Sequence, residues 1–157
     1  MNTGARLDEI LHTVRAPAEL LDRPYLRPVY DEPEFVVRNI WRLYGGWWDG
    51  NPATLKPAPE TALARELSDL AGGATAVADR ALTLAEEAAA GDEASSGLRV
   101  AAHLAELAAL AAPTDPGVHR VRARVFTLCA ETATSTMAKG VFSWAARESD
   151  GQVQDGS

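Results

Sequence analysis

Apolar positions recur at helical spacing along most of the chain. Leu7, Ile10, Leu11 and Val14 fall at i, i+3, i+4 and i+7, which predicts a short first helix. Asp8 and Glu9 stand in its first turn, where the helix dipole favours acids, and Pro17 stops it. Pro17, Pro24, Pro28 and Pro33 then leave no room for a continuous helix and predict an extended arm, with one turn at Glu19–Leu21. Tyr25, Leu26, Val29 and Tyr30 make this arm apolar, so it must lie on its own domain or on a neighbour's. Asp31 reads as an N-cap with Pro33 in the first turn of the next helix. Val36, Ile40 and Leu43 line one face of that helix, with Glu34, Arg38 and Arg42 on the other. Gly45-Gly46 ends it, and Trp47-Trp48-Asp49-Gly50-Asn51-Pro52 follows as a turn bearing two indoles.

Pro57 and Pro59 lead into a helix with Leu63, Leu67 and Leu70 on one face, which Gly72-Gly73 ends. Three alanine-rich helices come next. Val77, Ala81, Leu84 and Ala88 mark the first, which stops near Gly91. Val100, Leu104, Leu107 and Ala111 mark the second, with Arg99, His103 and Glu106 on its polar side and Ser95-Ser96 as its cap. Asp115 and Pro116 read as N-cap and first residue of the third, whose stripe is Val118, Val121, Val125 and Leu128. A last helical segment is predicted from about Thr136 to Arg147, carrying Phe142 and Trp144 and interrupted at Gly140, with a frayed polar tail beyond. The expected fold is all-α. It is a multi-helix bundle of antiparallel helix hairpins, tetratricopeptide-like in shape without that repeat's signature, with a Pro-rich N-terminal arm. The expected boundaries are an arm over 1–33, a helical body over 34–148 and a disordered tail over 149–157.

Composition supports this reading. The chain has 157 residues, enough for one domain, and about thirty are alanine, the best helix former. The net charge of −7 and the lack of a basic stripe argue against a nucleic-acid partner. The single Cys129 excludes a disulfide framework within one chain. No apolar run approaches the roughly 20 residues of a membrane span, and no signal-peptide pattern opens the sequence, so the expected location is cytoplasmic.

Candidate chemistry is sparse. His12, His103 and His119 lie far apart in sequence, with no metal-ligand spacing, and no nucleophile-elbow, P-loop or dinucleotide-binding pattern occurs. No catalytic and no metal residue is therefore assigned. Cys129, between Leu128 and Ala130, reads as a small buried apolar residue, and Glu86-Glu87 as a solvated helix face. The informative stretch runs from Arg38 to Pro52 and holds Trp41, Tyr44, Trp47 and Trp48. These aromatics either plug a core or form an interface, and both hold if the core is shared between chains. Asp49, Gly50, Asn51 and Pro52 read as turn-forming.

At this stretch the sequence resembles the dimerisation domain of the alkyl sulfatases, zinc enzymes with a metallo-β-lactamase-type catalytic domain. The likeness runs from Met1-Asn2-Thr3-Gly4 and Leu7-Asp8-Glu9-Ile10 through Pro17 and Tyr25-Leu26-Arg27-Pro28-Val29-Tyr30. It continues through Trp41-Arg42-Leu43-Tyr44-Gly45-Gly46-Trp47-Trp48-Asp49-Gly50-Asn51-Pro52 to Leu70-Ala71-Gly72-Gly73 and Ala112-Pro113-Thr114-Asp115-Pro116. The resemblance implies a helical domain forming an intertwined homodimer. It implies that the zinc pair belongs to an upstream catalytic domain, on an H-x-H-x-D-H motif absent from this sequence, and that a sterol-carrier-like domain follows. Met1-Asn2 would then sit at the end of a helix joined to the catalytic domain. That leaves an expressed fragment, a proteolytic remnant and a shortened gene as origins of the chain.

The expected function is thus non-catalytic homodimerisation that serves a zinc-dependent sulfate-ester hydrolase, with no cofactor in this chain. The expected contact residues are Tyr25, Leu26, Val29, Tyr30, Trp41, Tyr44, Trp47 and Trp48. The expected partners are a second copy and a metallo-β-lactamase-type catalytic domain. Two alternatives remain open from the sequence: a piece of a full alkyl sulfatase whose dimer neighbour helps wall the substrate cleft, and a stand-alone helical adaptor.

Overall fold

Proline and alanine divide the chain between them. The computed structural model describes residues 4–91 and 94–155; Met1-Asn2-Thr3, which carry part of the resemblance, and the last two residues of the tail lie outside the described residues. Among these are eight α-helices, a 3-10 turn and no strand. They fall into two units.

Unit 1 comprises Met1–Pro57 together with Thr134–Met137. It contains α1 (Leu7–Thr13), the four-residue α2 (Ala18–Leu21), α3 (Pro33–Gly45) and the 3-10 turn Pro52–Thr54. The division therefore falls at Pro57, not at Pro33: α3 and the tryptophan turn group with the arm because α1 packs on α3 and the Leu7 amide donates to the Asp49 carbonyl (2.9 Å). Glu32, not Asp31, is the N-cap of α3; Asp31 Oδ1 instead accepts from the Glu32 amide at 2.8 Å. The aliphatic stripe of α3 faces outward. Val36, Ile40 and Leu43 are exposed, and the helix turns Trp41 inward. The bond from Trp41 Nε1 to the Trp48 carbonyl holds that indole on the inner side.

Unit 2 comprises Ala58–Ala133 and Ala138–Ser157. It is built from α4 (Glu60–Leu70), α5 (Ala74–Ala90), α6 (Ala94–Ala111), α7 (Pro116–Thr132) and α8 (Thr136–Asp155) from Ala138 onward. Helix α6 packs against α4, α5 and α7, and α5 also meets α4 and α7. One core cluster joins Ala81, Ala85, Leu98, Ala101, Ala105, Val125, Phe126, Leu128, Cys129, Ala145 and Ala146. A second joins Val77, Ala78, Ala108, Ala109 and Val118. Alanine at most contact positions lets helix backbones approach closely, and glycine lets them closer still. A Cβ on Gly97 of α6 would stand 2.7 Å from the Ala88 Cβ of α5.

Small residues also line the buried faces of α4 and α6. Helix α4 buries Ala64 and Ser68 and exposes Leu63, Leu67 and Leu70. Helix α6 buries Leu98, Ala101 and Ala105 and exposes Val100. Ser95 and Ser96 fall inside the first turn of α6, which begins at Ala94. Asp115 caps α7 as the sequence indicates, its Oδ1 accepting from the Gly117 and Val118 amides at 2.7 and 3.2 Å, with Pro116 at N1. Helix α8 passes through Gly140 without a break and runs to Asp155, so the expected frayed tail from Asp150 is helical through that residue. The stretch beyond Asp150 stays helical because one continuous helix places Ser149, fully buried, against α7 and carries the chain past it.

Candidate interaction surface

The tryptophan block builds a rigid turn and an outward apolar face at once. Trp41 is 8% exposed, and its Nε1 donates to the Trp48 carbonyl at 3.0 Å. Trp48 Nε1 in turn donates to the Asn51 carbonyl at 2.8 Å. Trp41 is therefore an anchor within its own chain, its indole engaged in holding the turn. Asp49 Oδ1 accepts from the Asn51 amide (2.9 Å) and the Thr54 hydroxyl (2.5 Å), and Asn51 Oδ1 accepts from the Ala53 amide at 3.2 Å. These bonds, the Thr54 hydroxyl first and the Asn51 amide next, hold the Asp49 carboxyl below its ordinary pKa. Gly50 has φ +89°, and a Cβ there would come within 3.3 Å of Arg6, so glycine is required on both counts. Pro52 opens the 3-10 turn.

Around this scaffold the remaining aromatics point outward. Tyr25, Tyr30, Tyr44 and Trp47 are 74%, 70%, 77% and 76% exposed, and Leu26, Val29 and Trp48 are also exposed. On α3, Val36, Ile40, Leu43 and Tyr44 follow one another at helical spacing as an exposed apolar row, with Trp47 just beyond the helix end. The arm's backbone is meanwhile tied down. The first amides of a helix have no intrahelical acceptor. Those of α8 are taken by the arm, Thr136 N donating to the Val29 carbonyl (2.8 Å) and Met137 N to the Tyr30 carbonyl (3.2 Å). Ser135 Oγ donates to Glu32 Oε1 at 2.7 Å.

The polar cluster of unit 2 was missed by periodicity. Arg122 is 5% exposed on α7. Its Nε donates to Glu106 Oε2 (2.8 Å), and its Nη1 faces the Ala145 carbonyl (3.0 Å), Ser149 Oγ (2.7 Å) and Glu148 Oε2 (3.1 Å). The guanidinium also lies 5.1 Å from the centre of the Phe126 ring. His119 Nε2 stands 2.9 Å from the Pro113 carbonyl, which can only accept, so the proton is assigned to Nε2 and Nδ1 takes the Ser149 hydroxyl at 3.3 Å. The cluster is thus a structural clamp joining α6, α7 and α8. Its one sequence signal was an arginine on the apolar side of α7, three residues before Val125.

The residues present do not suit a zinc centre. His119 has both ring nitrogens engaged, His103 is exposed, and exposed His12 pairs with Asp8 at 3.4 Å. Among the described residues no group of three or more His, Cys, Asp or Glu side chains could hold a metal ion. Cys129 is buried, which pushes its thiol up to about 11, away from nucleophilic use. An open groove of about 420 Å³ between α7 and α8 is lined by Thr127, Glu131, Lys139, Ser143, Arg147 and Asp150, charges of both signs. No helix among the described residues is long and apolar enough to cross a membrane.

Comparison with known proteins agrees with the geometry. The chain is 40% identical over 74 residues to a linear primary-alkylsulfatase of Pseudomonas sp., covering 46% of this chain and 14% of that protein. It is 36% identical over 81 residues to an alkyl/aryl-sulfatase of Saccharomyces cerevisiae, covering 52% of this chain and 12% of that protein. The chain thus spans a small part of the length of these relatives. Its fold superposes on the stereoselective inverting sec-alkylsulfatase Pisa1 from Pseudomonas sp. with a TM-score of 0.81 at 25% identity, over 95% of this chain and 22% of that one. The family model for alkyl sulfatase dimerisation matches residues 6–152, so the chain belongs to the alkyl sulfatase dimerisation family.

Proposed function

We propose that this chain acts as a non-catalytic homodimerisation module and serves to assemble a zinc-dependent sulfate-ester hydrolase whose metal is held by another domain. The contact surface is the arm (Tyr25, Leu26, Val29, Tyr30) and the outer row of α3 with its turn (Val36, Ile40, Leu43, Tyr44, Trp47 and the edge of Trp48). One observation carries the reading: in a chain of a dimerisation family, the large apolar side chains of unit 1 are turned outward while its backbone is pinned. Four aromatics about three-quarters exposed offer about 600 Å², at roughly 200 Å² each. A stable interface takes about 800 Å² per partner, so the aliphatic neighbours complete it.

Light scattering after size exclusion, over a dilution series, tests this. The expected mass is near twice 16.7 kDa, and Tyr44→Ser with Trp47→Ser is expected to halve it. A monomer at every concentration overturns the proposal and leaves the adaptor reading, which requires one.

A further inference from the structure

The two units differ in what holds them together. Among the described residues, the buried hydrophobic side chains of unit 1 are Leu7 and Trp41; all the others belong to unit 2. The large hydrophobics of unit 1 that stay exposed include Val14, Tyr25, Leu26, Val29, Tyr30, Val36, Ile40, Leu43, Tyr44, Trp47 and Leu55. Its order rests on hydrogen bonds: the Asp49–Asn51–Thr54 turn, the Trp41–Trp48 and Trp48–Asn51 indole bonds, and the arm's carbonyls on Thr136 and Met137. Such bonds largely exchange partners with water and add little net stability each. Ordering each residue of the chain carries an entropic cost that apolar burial ordinarily offsets, and here two buried side chains and the half-buried Ile10, Leu11, Leu21, Phe35 and Val37 must offset it for about sixty residues. Unit 2 has two core clusters drawn from α5, α6, α7 and α8 and lacks nothing of the kind.

We propose that unit 1 folds only on dimerisation: a second copy of this chain supplies the apolar burial that unit 1 lacks, while unit 2 is folded in the free monomer. The inference rests on the homodimer reading and deepens it. The occupant is a second copy because the outward aromatic area approaches what one partner of a stable dimer buries, and because the chain belongs to a dimerisation family. Order in unit 1 and mass of the particle are then one equilibrium, dependent on concentration. The device couples assembly to the shape of the tryptophan turn, so the turn exists only in the assembled state.

The test uses the full chain. Trypsin cuts after Arg15, Arg38 and Arg42 in unit 1 and after Arg80 and Arg120 in unit 2. Over the dilution range in which light scattering shows dimer passing to monomer, cleavage in unit 1 is expected to accelerate by about tenfold or more, while cleavage in unit 2 stays unchanged. Emission from Trp41, Trp47 and Trp48 should shift to the red at the same midpoint. Where the dimer is too tight to dilute, Tyr44→Ser with Trp47→Ser gives the monomer; both side chains are exposed, so their loss leaves the monomer's own packing intact. In that variant unit 1 is expected to be cut rapidly at every concentration. A dimer whose dissociated or variant monomer keeps unit 1 as resistant as before overturns this inference alone. A wild-type chain that is monomeric throughout overturns the dimer reading, and this inference with it.

Discussion

Asp49 joins three parts of unit 1 through one residue. Its carbonyl receives the Leu7 amide, and its carboxylate receives the Asn51 amide and the Thr54 hydroxyl. Because the folded carboxyl titrates below its ordinary value of 3.8, its support for the turn is complete above that value and is lost as pH falls through the lowered one. Acidification of the dimer from about pH 6 to about pH 2 is expected to shift the tryptophan emission with a component midpoint below the ordinary aspartate value, and Asp49→Asn should remove that component. An unchanged titration in the variant would sink the assignment. Arg122 sets the opposite case, a charge buried on purpose. Arg122→Ala leaves the Ala145 carbonyl and the Ser149 hydroxyl without their donor and should cost about 3–5 kcal/mol in urea unfolding. Glu106→Gln should cost about 1 kcal/mol or less, since that carboxylate is 44% exposed and water screens the pair. Equal losses would mean the pair, not the guanidinium's wider set of bonds, carries the clamp. The turn residues were legible because Asp-Gly-Asn-Pro has local chemistry. Arg122 was not, because its partners lie on two other helices.

Helices α5 and α6 show how alanine and glycine decide packing distance. Gly97→Ala would place a methyl group 2.7 Å from the Ala88 Cβ and should force the pair apart at a cost of about 1–3 kcal/mol. Gly140→Ala on α8 meets nothing within 4 Å and lies in a helix interior, so it should stabilise by about 0.5–1 kcal/mol. Thermal melts of the two variants check this, and a loss at Gly140 would contradict the continuous helix. At this scale, periodicity located every long helix, and the Asp115-Pro116 cap placed the start of α7. It does not say which face packs. On α4 a leucine row and an Ala64–Ser68 row both repeat at helical spacing, and the closer-packing small row faces inward. On α3 the row of Val36, Ile40 and Leu43 has the spacing of a core row and lies outside.

For the whole molecule, the division into a thinly cored unit and a densely cored one gives the exposed row its meaning. A single chain that leaves so many large apolar side chains in water presents a patch far beyond scattered surface residues, and such patches mark interaction sites. The dilution experiment therefore reads two properties together, the mass of the particle and the protease resistance of unit 1. The chain belongs to a dimerisation family and spans 22% of the alkylsulfatase Pisa1 on which it superposes.

Composition, helical spacing and turn chemistry determined the all-α class, the long helices, the Asp49–Pro52 turn and, through the aromatic block, the family. These are properties of residues near one another along the chain, governed by backbone sterics and local hydrogen bonds. The tertiary structure alone decided that Trp41 is spent inside, that α3 turns its aliphatic row outward, that the arm caps α8, and that Arg122 locks three helices. Each of these depends on which distant backbone comes close enough to compete for the same surface, and no local pattern carries that distance.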